Sequence, residues 1–363
     1  MQTGIVGLPY SGKTTLFQTL TEAHLDAGAL QKRETNQAIV KVPDERLDKL
    51  TAIFNPKRKI NATVEVVDMV SMQKGDGGAS SAFAGQFLAK VKINDVLIHV
   101  VRGFRDESVP HPDGSIDIMR DIRTLEDEYI FADLAFCENR IEKLQKDMMK
   151  AKSKDDAKRE IEAVTRWKEQ LEENLPLRDL EFSPEEMKYI KNYQPLTAKP
   201  MLIALNLDES DAANAEKLAE EVRSKLTGKN LLVEPFFAKI EMELSQLEEG
   251  EDKEMFMSEY GLTESTLSRM LRSIYQLLGL QSFFTVGEDE TRAWTIRKGS
   301  TAQEAAGVIH TDFYNKFIRA EVVSLKDFFD AGSLVKCKEK GLFRLEGKEY
   351  IVADGDILNI RHG

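Results

Sequence analysis

Over the first 110 positions the chain alternates short apolar, β-branched runs with amphipathic stretches of helical period. The runs are Gln2 to Gly7 (QTGIVG), Ala62 to Asp68 (ATVEVVD) and Asp95 to Val101 (DVLIHVV). Between them lie helical patterns over Gly12 to Ala23 and Ala84 to Val91. Strands alternating with helices predict an α/β layer with a parallel sheet. The same pattern returns at Lys199 to Asn206 (KPMLIALN), a helix over Ala212 to Leu226, and Asn230 to Ala238 (NLLVEPFFA), so an insertion interrupts the sheet. Within it, Ile130, Leu134, Cys137, Ile141, Leu144 and Met148 advance by alternating threes and fours, and Ile161, Val164, Trp167, Leu171 and Leu175 form a second such seam. Two seams around a polar, Lys-rich break predict an antiparallel coiled-coil hairpin with its tip near Lys150 to Lys158. A helix over Thr263 to Leu278 leads out of the α/β layer. From about Gln281 short strands and turns (SFFTV, RAWTI, FIRAEVVS, LFRLE, EYIVAD, DILNI) predict a small α+β domain.

With 363 residues, 42% hydrophobic and 31% charged, the chain has the composition of a globular protein of two or three domains. No run of about 18 apolar residues is present to span a bilayer, and the start lacks the basic, apolar and small-residue regions of a secretory signal. A cytoplasmic location without membrane attachment is expected. Cys137 and Cys337 are too few and too far apart for a disulfide framework or a zinc site, and are read as reduced, structural residues. A net charge of −12 argues against wholesale coating of nucleic acid. A local exception is Lys143 to Arg159, whose seven basic and three acidic residues leave +4 at the predicted hairpin tip.

The stretch Gly7-x-x-x-x-Gly12-Lys13-Thr14 follows an apolar strand and opens a helical pattern, the context in which a P-loop works. Glycines turn backbone N–H groups toward phosphate oxygens, the helix N-terminus adds its positive end, Lys13 supplies a cation and the Thr14 hydroxyl can ligate Mg²⁺. Pro9, Tyr10, Ser11, Gly12, Lys13, Thr14 and Thr15 are therefore the expected phosphate-binding residues. Asp68, ending the VEVVD strand, is expected to hold the same Mg²⁺ opposite Thr14.

Segments spanning nearly the whole chain carry a resemblance: GIVGLPYSGKTTLF, VPDERLDKL, FADLAFCENRIEKL and LLGLQSFFTVGEDETRAWTIRKGSTAQEAAGVIHTDFYNKFIRAEVVS. In these the chain resembles the YchF-type ATPases of the Obg-related branch of P-loop GTPases. The resemblance implies a Ras-like P-loop NTPase domain over residues 1–121 and 198–280, an inserted coiled coil over 122–197, and a C-terminal TGS domain of β-grasp fold over 281–363. It also implies a monomeric, slowly turning ATP hydrolase whose nucleotide state repositions the coiled coil and TGS domain against the ribosome or its RNA.

Base recognition falls on Asn206, Leu207 and Glu209, where a guanine-reading site carries Asn-Lys-x-Asp. Leu207 can pack on a purine but has no charged head, and the longer Glu209 places its carboxylate elsewhere. Leaving a buried partner unpaired costs about 1 to 3 kcal/mol, enough to invert base preference. Adenine instead offers an amine to Asn206 or a carbonyl, and the family reads Asn-x-x-Glu as adenine-preferring. In the next loop Phe237 replaces a Ser, while Ala238 can offer its backbone N–H. Several positions depart from the family or superfamily pattern. Tyr10-Ser11 stands where the family has Asn-Val, and such an Asn is associated with monovalent-cation binding. Ser71 replaces the Gly of the second switch, and Met72 stands where Ras-like enzymes use a water-positioning Gln. Alignment puts Lys32 at the first-switch Mg²⁺ position, with Thr35 three residues on. His111, in SVPHPDG, matches a family His on a mobile loop and is the expected catalytic partner of Lys13. His99 is expected in the core, and Trp294 likewise, in preference to a base-stacking role. Two other readings stay open: a nearly inactive nucleotide-binding adaptor, and a GTPase with altered base contacts.

Overall fold

The computed structural model describes residues 1–21, 36–69, 80–148, 155–226, 228, 230–247, 250–262 and 264–363. The departures at Lys32, Thr35, Ser71 and Met72, and three tip lysines, Lys150, Lys152 and Lys154, lie outside those residues. The chain divides into two compact units, Met1–Ala38 with Glu65–Met270, and Ile39–Val64 with Leu271–Gly363.

The first unit is built on a six-stranded sheet. Strands β1 (Gln2–Val6), β2 (Asn36–Lys41), β4 (Thr63–Asp68), β5 (Val96–Arg102), β6 (Met201–Asn206) and β7 (Leu231–Phe236) lie in the order β2-β4-β1-β5-β6-β7. From β4 to β7 the pairings are parallel. β5 and β6 are buried at every position, as strands covered on both faces must be. Val6, Leu97, Val101, Ile203, Leu205 and Tyr129 share one core, into which Leu207 and Phe237 also pack. Strand order reverses at β1, which has β4 on one side and β5 on the other; the crevice at the carboxyl ends there is where open α/β sheets bind ligands.

Between β5 and β6 runs a helix pair, Ile118–Met148 and Asp155–Glu172. Ion pairs Arg140–Glu160 (2.7 Å) and Lys168–Glu138 (3.7 Å) set the two helices antiparallel. Ile130, Cys137, Val164, Trp167 and Leu171 are buried together, with Leu134 and Ile141 packed against them. Leu175 departs from the expected seam and is 39% exposed, because the second helix has already ended at Glu172. The root of the pair is polar. Arg178 grips Glu126 through both terminal nitrogens at 2.9 Å, and Asp133 accepts from the Leu196 and Thr197 N–H groups and the Thr197 hydroxyl at 2.7 to 3.0 Å.

In the second unit, strands Leu280–Thr285, Glu290–Arg297, Phe317–Val323, Arg344–Glu346 and Ile357–His362 form a mixed sheet with short helices against it. Phe283, Ala302, Ala305, Ala306, Phe317, Val322 and Leu358 make its core. Trp294 is partly buried, stacks on Phe283 at 6.4 Å between centroids and donates its indole N–H to the Thr285 hydroxyl at 2.9 Å. The sheet has a sixth strand from far away in sequence. β3 (Arg58–Ile60) pairs in parallel with Glu290–Arg297, and the helix Glu45–Phe54 before it stacks Phe54 on Phe328 at 5.4 Å. Residues Arg58–Ile60, within a stretch assigned from sequence to the first domain, thus complete the C-terminal sheet. A three-residue strand bears too little periodicity to announce its partner.

Candidate nucleotide-binding site

The loop after β1 is shaped by backbone conformations that glycine permits. Gly7 has φ 148° and Gly12 φ 99°; a Cβ on Gly7 would stand 2.4 Å from the Val100 carbonyl, and one on Gly12 2.3 Å from the Asn206 amide nitrogen. Tyr10 also has positive φ, 61°, with its side chain turned out to solvent. The helix Lys13–Thr21 then starts, with Leu16 N–H bonded to the Gly12 carbonyl at 2.9 Å.

Lys13 is 6% exposed, and its ammonium donates to the Leu8 carbonyl at 2.7 Å, across the loop it is expected to serve. Burial lowers its pKa to about 8, with the neighbouring Asp68 carboxylate pulling the other way. Asp68 is raised by its own burial, opposed by Lys13 and by the Thr14 hydroxyl. That hydroxyl donates to Asp68 Oδ2 at 3.2 Å, while Asp68 Oδ1 is buried with no hydrogen-bond partner among the described residues. A hydroxyl beside a carboxylate that has one buried oxygen without a partner among the described residues offers oxygen donors of the kind a small hard cation takes, so Thr14 and Asp68 fit Mg²⁺. The Ser11 hydroxyl is likewise buried and without a partner among the described residues.

At the base-reading positions the structure differs from expectation in a specific way. Asn206 donates from Nδ2 to the Ser11 carbonyl at 3.0 Å and accepts at Oδ1 from the Ala238 N–H at 3.2 Å. It ties the phosphate loop to the loop after β7, and the Ala238 N–H expected for a purine is engaged by Asn206. Leu207 is 4% exposed, packed in the core instead of presenting a face to a base. Glu209 forms an ion pair with Lys239 at 2.5 Å. Asp208 caps the turn by accepting from Ser210 N–H (3.1 Å) and hydroxyl (2.8 Å).

His111 is not a solvated loop residue. Its side chain is 6% exposed, and Nε2 lies 2.8 Å from Oδ2 of Asp121, itself 3% exposed. Nδ1 accepts the Asp113 N–H at 3.1 Å, so Nε2 carries the proton and donates to Asp121. Upstream, the buried Arg102 at the end of β5 donates to the carbonyls of Phe104, Asp106 and Val109 and stacks on Phe104, organising the loop that leads to His111. Nothing in the sequence marks Arg102 or Asp121 for these tasks. The Asn206 bridge could be inferred only from the need to join two loops that both border one ligand. His99, as expected, is buried in the core.

Similarity to known proteins runs the length of the chain. The YchF-GTPase C-terminal family model, described as a protein of unknown function (DUF933), matches residues 280–363. The ribosome-binding ATPase YchF of Bacillus subtilis is 41% identical over 362 residues, covering 99% of this chain and 98% of its own. Its counterpart in Haemophilus influenzae is 40% identical over 361 residues, with coverage of 99% and 98%. The solved structure of the Schizosaccharomyces pombe YchF GTPase superposes with a TM-score of 0.85 at 31% identity, covering 99% of this chain and 97% of that one. No helix among the described residues is long and apolar enough to cross a membrane. Identity sustained from the phosphate loop to the last strand, with the fold to match, makes this chain a member of the YchF family.

Proposed function

We propose that the chain is a P-loop nucleotide hydrolase that binds and slowly hydrolyses ATP in preference to GTP, acting as a nucleotide-dependent switch on the ribosome. The observation that carries base preference is the Glu209–Lys239 pair with the buried Leu207 beside it. A guanine-reading carboxylate must accept the base's N1–H and exocyclic amine, and the carboxylate nearest that role is already held by a lysine. Guanine would have to break that pair; adenine has no such donors and leaves it intact.

In this reading the loop from Pro9 to Thr15 cradles the phosphates, Lys13 exchanges the Leu8 carbonyl for a phosphate oxygen, and Thr14 and Asp68 would hold Mg²⁺, which would supply positive charge against the phosphates. His111 orients the attacking water, a task for which hydrophobic Met72 is unsuited. The coiled-coil and TGS assignments of the helix pair and the C-terminal sheet make those two elements the partner-binding parts. Ribosome association is supported by the names of the bacterial relatives. The fission-yeast relative is named a GTPase, so the decisive experiment is competition. With Mg²⁺ and a fluorescent ATP analogue bound, ATP should displace the probe at least several-fold better than GTP. Equal displacement would leave the altered-contact GTPase as the better reading.

A further inference from the structure

His111 is held by two bonds of different kinds. The Asp113 N–H to Nδ1 bond spans two residues and travels with the loop wherever it goes. The Nε2–H to Asp121 bond joins the loop to the long helix Ile118–Met148 and breaks if the loop moves. Asp121 is itself braced. It lies in the first turn of that helix, where the positive dipole end favours a carboxylate. Its Oδ1 accepts from Arg120 Nε and Nη2 at 3.0 and 2.8 Å. The same guanidinium reaches the Ser115 carbonyl and hydroxyl, at 2.5 and 3.0 Å, closing the turn from the other side. In an orienting dyad the carboxylate takes one ring nitrogen and leaves the other open for chemistry. Here the other nitrogen is capped by the Asp113 N–H, so the imidazole as placed has neither a free N–H nor a free lone pair for a water.

We propose that Asp121, braced by Arg120, is a positioning residue that holds His111 in this fully bonded setting and must release it for turnover. The proposal rests on the reading of His111 as the water-orienting group. No covalent step is involved: one hydrogen bond is given up and the proton stays on Nε2, whose N–H is then free to hold the water through its oxygen.

The test uses the full-length chain with Asp121→Asn and Asp121→Ala, each also combined with His111→Ala, in single-turnover ATP hydrolysis. Asp121→Asn keeps the shape and an acceptor for Arg120, so a folded variant is available even if Asp121→Ala unfolds. A bond to a carboxylate is worth enough that its loss should raise the single-turnover rate by roughly ten- to hundred-fold in Asp121→Ala and less in Asp121→Asn. KM should be unchanged, and the gain should vanish in the His111→Ala background. A fall in rate, no change, or an equal rise without His111 would overturn the proposal. A second measurement separates this failure from failure of the hydrolase reading. In the ¹⁵N-histidine-labelled parent, with only five histidines to assign, His111 should show a protected Nε2–H. That signature should disappear on adding Mg²⁺ and a non-hydrolysable ATP analogue. Its persistence in the nucleotide-bound protein would overturn the latch even if the parent hydrolyses ATP; its loss in a parent that does not hydrolyse would sink the hydrolase reading and, with it, the claim that release serves turnover.

Discussion

Tyr10, Lys13, His99 and Glu209 each carry a consequence that can be measured one residue at a time. Tyr10 adopts φ 61° with a bulky, solvent-facing side chain, a conformation that Asn tolerates far better. Tyr10→Asn should therefore raise stability by about 1 kcal/mol, read as a shift in the denaturation midpoint. Lys13→Ala should leave the fold intact and weaken triphosphate binding by roughly ten- to hundred-fold, the worth of a bond between charged groups; unchanged binding would remove the P-loop assignment. Glu209→Asp shortens the side chain and loosens the pair with Lys239, so GTP should compete more nearly as well as ATP. His99 is fully buried, and burial, with Lys13 and Arg178 adding to it, lowers its pKa from 6.5 to about 3. Folding favours its neutral form. The stabilisation is complete above about pH 6.5 and is lost as pH falls toward 3, with a limiting slope of about 1.4 kcal/mol per pH unit. Urea denaturation of the parent and of His99→Gln between pH 7 and pH 5 should show the shallower slope in the variant.

At the level of elements, the antiparallel helix pair depends on its polar root as well as its apolar seam. Arg178 is 1% exposed at the side chain, and its countercharge Glu126 is pushed upward in pKa by burial, opposed by Arg178 itself. Glu126→Ala would strand a buried guanidinium and should cost about 3 to 5 kcal/mol, whereas replacing both partners by Leu and Met should cost far less. Chemical denaturation of the two singles and the double closes the cycle. A simple additive sum would show that the pair is not coupled. Trp167, fully buried between the helices, sets the complementary apolar case: Trp167→Ala should cost about 3 to 5 kcal/mol through the cavity it leaves.

For the whole molecule, the expected partner surface is the hairpin tip, of which Lys158 is described and exposed. Replacing Lys150, Lys152, Lys154 and Lys158 with Glu should weaken co-sedimentation with ribosomes and flatten its dependence on salt, since every lysine withdrawn from a phosphate leaves fewer counterions to be released on binding. ATP binding should be unaffected. Sedimentation equal to the parent at every salt concentration would move the partner surface elsewhere. The chain's threading bears on any truncation: because Arg58–Ile60 belongs to the C-terminal sheet, a fragment starting near Gln281 lacks a strand and the helix Glu45–Phe54.

Sequence alone determined the features that local pattern encodes. Glycines at Gly7 and Gly12, followed by Lys13 and Thr14, specify a phosphate loop because few other residues survive those backbone angles. Alternating threes and fours specify the helix pair because its seam is repeated over many turns. Buried strands such as Val96–Arg102 declare themselves by a run of apolar residues broken only by His99 before its terminal Arg, and His99 could be read as core. Only tertiary structure decided what depends on meetings between distant residues. Asn206 could be assigned to a base from its motif, but its bonds to Ser11 and Ala238 exist because three loops converge at the carboxyl ends of parallel strands. Leu207 could be read as a face for a purine until the core closed over it. His111 could be placed on a loop, yet its partner Asp121 lies ten residues on, in a helix whose first turn faces that loop by folding and not by any periodicity. The strand Arg58–Ile60 crossed to the other sheet because three residues take whichever edge offers hydrogen bonds, and the edge at Glu290–Arg292 was the one the fold supplied.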